Sequence, residues 1–142
     1  MRYLCLIYLD EQQLVAMPEG QISALNARHL EFNDGLLERG QFIEAEALEP
    51  GRATTCLRIR QGKTGITDGP YAETKEQVAG FYLIEARDLN EAIQIAAQIP
   101  AAPLGTIELR PCRDLIVDGV PHKASRKARS GIERITNANP RR

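Results

Sequence analysis

Apolar positions along this chain follow two rhythms, and the elements can be read from where one gives way to the other. Residues 3–9, Tyr-Leu-Cys-Leu-Ile-Tyr-Leu, are apolar throughout. That run lacks the length and the small-residue cleavage site of a secretory signal, and it predicts a first strand. Pro18-Glu19 then opens a helix, because proline is preorganised for the first turn and an acid there suits the helix dipole. Ile22, Leu25, His29, Phe32 and Leu36 recur at spacings of three and four, a single core-facing stripe. Gly40 supplies the stop.

Two strands are predicted next, at residues 42–48 and 54–60, separated by the Glu49-Pro50-Gly51 turn and expected to pair antiparallel. The second alternates Thr55, Leu57 and Ile59 with Cys56, Arg58 and Arg60. A Gln61-Gly62-Lys63 turn leads into a polar loop, and residues 78–85 form a further strand in which Gly80 permits a bulge or a close approach. Asp88 with Glu91 three residues on predicts a capped helix, with Leu89, Ala92, Ile93, Ala96 and Ala97 on its inner face and Pro100 at its end. Residues 106–110 alternate again as a last strand.

The order strand, helix, strand, strand, helix, strand, with room for a short strand near Ile66, predicts an α+β fold of the ferredoxin-like, split βαβ kind: an antiparallel sheet with two helices on one face. The other face, expected to carry Phe42, Leu48, Phe81 or Leu83, would be an apolar surface without a cover. Such a surface predicts a two-fold homodimer with the sheets face to face, a dimeric α+β barrel with pockets near its seam.

Composition narrows this picture. The chain has 142 residues and is 43% apolar, enough for one domain with a real core. No apolar run approaches the roughly 18 residues of a membrane span, which predicts a protein without a membrane partner. Cys5, Cys56 and Cys112 are odd in number and widely spaced, so neither a disulfide framework nor a metal site is expected, and a reducing cytoplasm fits. Cys5 reads as a small buried hydrophobe and Cys112 as an exposed thiol. Residues 118–142 hold seven basic side chains against two acidic ones, net +5, which leaves net −6 on residues 1–117 in a chain of net −1. The expectation is a domain over 1–117 followed by a basic, weakly ordered tail.

One stretch carries more polar chemistry than a strand connection needs: Ile66-Thr-Asp-Gly-Pro-Tyr-Ala-Glu-Thr-Lys-Glu76. With the following QVAGFYLIEARDLNEAI and the later IELRPC, this run resembles the DGPF-domain branch of the YCII-related family. The opening MRYLCLIY and the Gly40-Gln41-Phe42 junction match as well, so the resemblance spans residues 1 to about 115. Tyr71 stands where that signature has phenylalanine, keeping the ring and adding a hydroxyl. The resemblance implies a ferredoxin-like dimeric barrel and a cytoplasmic bacterial protein, implies no settled reaction, and through some members implies a sigma factor as a partner.

In the loop, Asp68 can accept from backbone amides, Gly69 can take a positive φ and Pro70 fixes the exit, which describes a rigid turn. Read as a pocket wall, the same segment offers Asp68 and Glu73 as acid or base, Lys75 and Arg110 as anion holders and Tyr71 as a ring with a donor. His29 is either a core histidine satisfied by one hydrogen bond or a general base. The resemblance implies the second role, since relatives pair a histidine in the first helix, followed by leucine as in His29-Leu30, with an aspartate before a proline. This chain has Ile99-Pro100 there, so Asp68 is the expected substitute partner.

His29 and His122 lie far apart without ligand spacing, so no metal or other cofactor is expected. Gly62-Lys63-Thr64-Gly65 lacks the upstream glycine of a P-loop and reads as a hairpin. Three classes of function remain. One is an acid–base enzyme of isomerase or lyase type acting on a small molecule. The second is a non-catalytic module that senses a ligand or binds a partner such as a sigma factor. The third is nucleic-acid binding through the tail, against which the acidic body argues.

Overall fold

The computed structural model describes residues 1–124. Met1–Pro111 form one compact unit, and a second begins at Cys112. In the first, β1 (Arg2–Asp10) alternates half-buried and buried positions along its whole length. It lies at the centre of a four-stranded antiparallel sheet with β2 (Phe42–Ala47), β5 (Glu76–Glu85) and β6 (Gly105–Pro111) in the order β2-β5-β1-β6. The labels β3 (Thr55–Arg60) and β4 (Lys63–Asp68) belong to a separate two-stranded hairpin. The helices are α1 (Glu11–Ala16), α2 (Glu19–Glu38) and α3 (Leu89–Ala96). The class is α+β with an antiparallel sheet, and its strand order is compatible with the ferredoxin-like plan.

Tyr3, Cys5, Ile7 and Leu9 of β1, with Tyr82 and Ile84 of β5, form one side of the core. Leu36 of α2 and Ala92, Ile95 and Ala96 of α3 form the other, so both long helices cover the same sheet face. The stripe expected on α2 does turn inward: Leu25 and Leu36 are buried and Phe32 packs against the core. On α3 the inner face is rotated from the expected one. Ala92, Ile95 and Ala96 are buried, whereas Leu89 and Ile93 are about half exposed. Ile99 and Ala101, just beyond the helix end, are buried in the same core as Ile95. Asp88 caps α3 by accepting from the Glu91 amide at 2.9 Å. The reciprocal half of the expected box does not form, because the Glu91 carboxylate is taken by Arg87 and by Gln41 Nε2.

Strand pairing also differs from expectation in one respect. The segments expected to pair with each other, near residues 42–48 and 54–60, do not: β2 pairs with β5, and β3 pairs with β4. The chain is turned aside by Pro50 and the 3₁₀ turn at Gly51–Ala53, while Gln61-Gly62, both at positive φ (52° and 75°), make the tight two-residue turn that right-twisted strands prefer. The short strand anticipated near Ile66 is therefore a full six-residue partner.

Gly80 sits opposite Ile7 beside a bulge in the β1–β5 ladder, and a Cβ there would lie 2.8 Å from the Glu46 carbonyl oxygen. Only a glycine lets β2 approach this closely. Phe42 pairs with Ile84 on the helix-covered face, correcting its expected outward position, and Leu48 lies beyond the end of β2. Phe81 and Leu83 do face the open side, opposite Leu6 and Leu4. Cys5 is buried and Cys112 exposed, as expected.

In the second unit, β7 (Leu115–Val117) and β8 (Val120–His122) pair across Asp118-Gly119. This hairpin spans the expected start of the basic tail, and the rest of that tail, from residue 125, lies outside the described residues.

Candidate functional site

The sheet, α1 and the signature loop meet around a half-open cleft of about 410 Å³. Its walls come from three places: Asp10, Glu11 and Gln12 where β1 passes into α1, Gly51 and Arg52 in the 3₁₀ turn, and Gly69, Pro70, Glu73, Thr74, Lys75 and Gln77 along the loop. The transition from β1 to α1 is set locally, since Asp10 is the N-cap and accepts from the Gln12 amide at 3.0 Å. Glu11 lines the cleft, and its Oε1 accepts from the Gly51 amide at 2.6 Å.

The loop is held at both ends. Gly69 has φ 102°, in the region that side chains avoid; its amide donates to the Thr54 carbonyl at 2.8 Å, and the Cys56 thiol donates to its carbonyl at 3.4 Å. At the other end, Gln77 Nε2 donates to the carbonyls of Ala72 and Thr74, both at 2.9 Å, and approaches Thr74 Oγ1 at 3.1 Å. Thr74 Oγ1 in turn donates to the Glu76 carbonyl at 2.7 Å. A loop whose backbone polar groups are satisfied by fixed side chains is a rigid wall rather than a flexible cover.

Of the residues singled out from sequence, Glu73 and Lys75 line this cleft. Asp68 ends β4 immediately before it and pairs with Thr55. Tyr71 is 86% exposed, with its ring in solvent rather than against a wall. Arg110 is on β6, ion-paired with Glu108 at 2.5 Å. His29 is on α2, where its Nδ1 lies 2.8 Å from the hydroxyl of Tyr82. The two rings stack at 6.0 Å, and Phe32 meets Tyr82 edge-on at 5.4 Å. Among the described residues no hydrogen bond or ion pair joins His29 to Asp68.

Electrostatics around His29 follow from its position between helix and sheet. Burial, and secondarily the neighbouring Arg28 charge, push the imidazole below its ordinary value of 6.5. Burial also pushes the Tyr82 phenol up to about 12. A neutral imidazole and a protonated phenol can share this hydrogen bond in either sense, the imidazole tautomer deciding which of them donates.

Sequence reading missed Arg52, Glu11 and Gln77. Arg52 follows a turn tripeptide and Gln77 stands inside the signature run, but nothing in their spacing says that residues 11, 52 and 77 meet. Arg52 and Lys75 have no ion pair among the described residues, so the cleft holds two cations free to meet a ligand together with the carboxylates of Asp10 and Glu73. No group of histidine, cysteine or acidic side chains among the described residues is arranged to hold a metal ion.

The fold and cleft define a small α+β protein whose site is built on a rigid loop at the edge of an antiparallel sheet. Residues 1–116 match the YCII-related domain, and the chain belongs to that family. It is also 34% identical over 113 residues to an uncharacterized protein of Rhizobium meliloti (strain 1021), an alignment covering 78% of this chain and 91% of that relative.

Proposed function

We propose that this protein binds a small anionic molecule in the cleft walled by its signature loop, as a two-fold homodimer of ferredoxin-like subunits. The Asp68-Gly69-Pro70-Tyr71 run supports placing it in the DGPF branch of the family. The observation that carries the binding reading is the presence of Arg52 and Lys75 on one cleft, neither of them ion-paired among the described residues. A carboxylate or phosphate would gain charge-assisted hydrogen bonds from both.

Reading the site as a binding cleft before a reaction centre follows from His29. Its Nδ1 is engaged by Tyr82, and it is absent from the cleft lining. The acid–base alternative would need His29 and Asp68 to act on a ligand together, and it has a separate signature: turnover lost in His29→Ala with ligand affinity retained.

The test is calorimetric titration of the wild type, Arg52→Ala and Lys75→Ala with a panel of small carboxylates and phosphate esters. Each substitution is expected to weaken binding of the same ligand about tenfold or more, since a hydrogen bond to a charged group is worth about 1.5–3 kcal/mol. A ligand that binds both variants as tightly as the wild type would refute the assignment of these two cations.

A further inference from the structure

We infer that the β3–β4 hairpin is an arm that docks on a second copy of this chain, along the acidic edge of the partner's open sheet face. The inference rests on the homodimer proposed above and specifies how its subunits hold each other.

The hairpin has two unlike faces. Cross-strand pairs place Leu57 opposite Ile66 and Ile59 opposite Thr64 on one face, and Arg58 opposite Gly65 and Arg60 opposite Lys63 on the other. Leu57, Ile59 and Ile66 are 59%, 59% and 68% exposed in their own subunit. A two-stranded ribbon is marginal in water by itself, and one with three bare aliphatic side chains on a single face requires a surface to lie on. Its other face is cationic, because Arg58, Arg60 and Lys63 have no ion pair among the described residues.

The complementary surface is on the same chain. On the sheet face away from the helices, Leu4, Leu6, Phe81 and Leu83 make an apolar centre. Glu44 and Glu46 of the edge strand β2 flank it, opposite Leu83 and Phe81. Neither glutamate has an ion pair among the described residues, and both are exposed. An apolar face backed by arginines thus matches an apolar floor bordered by acids, and long arginine stems can reach around the ribbon to the partner's carboxylates. A six-residue ribbon extends about 20 Å, enough to cross a subunit boundary. Under two-fold symmetry both arms are covered by the same operation.

Sedimentation of the full chain across a concentration series tests this, with far-ultraviolet circular dichroism confirming that each variant is folded. The wild type is expected to be dimeric, and Leu57→Thr with Ile59→Thr and Ile66→Thr to raise the dimer dissociation constant at least tenfold. Arg58→Glu with Arg60→Glu is expected to do the same, and adding Glu44→Lys with Glu46→Lys to restore association. A dimeric wild type whose triple variant dimerises equally well overturns the arm and leaves the homodimer standing. Failure of the charge swap to restore association overturns the docking edge. A monomeric wild type overturns arm and homodimer together. Arm-dependent binding to anionic phospholipid vesicles or DNA, with dimerisation unaffected by the arm variants, would assign the arm to another partner and overturn the proposal.

Discussion

A histidine in an apolar helical stripe has two readings, and its neighbours separate them. His29 meets the Tyr82 hydroxyl between α2 and β5, where burial disfavours the imidazolium. Its folded pKa is lowered, so the unfolded chain binds this proton more readily. The stability that neutral His29 contributes is therefore fully present above pH 6.5 and is lost as the pH falls through the lowered folded value. Denaturant titrations of wild type and His29→Gln on either side of pH 6.5 should show the wild-type advantage shrinking on the acid side. An advantage independent of pH would mean that the ring is not held neutral. The thiols and the loop glycine were readable from sequence because their roles are local. The partner of His29 was not, because 53 residues separate the two rings.

At the scale of elements, local signals were accurate where the chain decides by itself. The capping aspartate, the inward stripe of α2 and the bulge at Gly80 all depend on residues within a few positions or on the absence of a side chain. Asp88→Ala should cost about 1 kcal/mol, seen as a lower urea midpoint, since one orphan amide at the start of α3 loses its acceptor. A stability unchanged within about 0.3 kcal/mol would show the cap to be redundant with the packing of α3, given typical cap contributions. The pairing of β2 and β3 was misread for a different reason: alternation identifies a strand and its wetter face but not its neighbour. Two consecutive strands joined by Pro50 and a 3₁₀ turn can each find a better partner later in the chain.

For the whole molecule, the unanswered demand is the sheet face that α2 and α3 leave uncovered. If a second copy covers it, folding and association are one equilibrium, and the melting temperature should rise with protein concentration. Scanning calorimetry over a hundredfold concentration range checks this, and a midpoint that does not move would indicate a self-sufficient subunit. The cleft belongs to this scale as well. Its lining draws on three chain segments around positions 11, 52 and 75, and only the closure of the sheet and the root of the β3–β4 hairpin bring them together.

By itself the sequence determined the α+β class, the inward face of α2, the Gly69-Pro70 turn and the family, because each is written in spacings of a few residues or in one contiguous run. Tertiary structure decided which strands are neighbours, that His29 bonds Tyr82, and that Arg52 joins Lys75 on one cleft. Those outcomes depend on contacts between residues far apart in the chain, and the energy that selects them is the burial of surfaces that exist only once the sheet has formed.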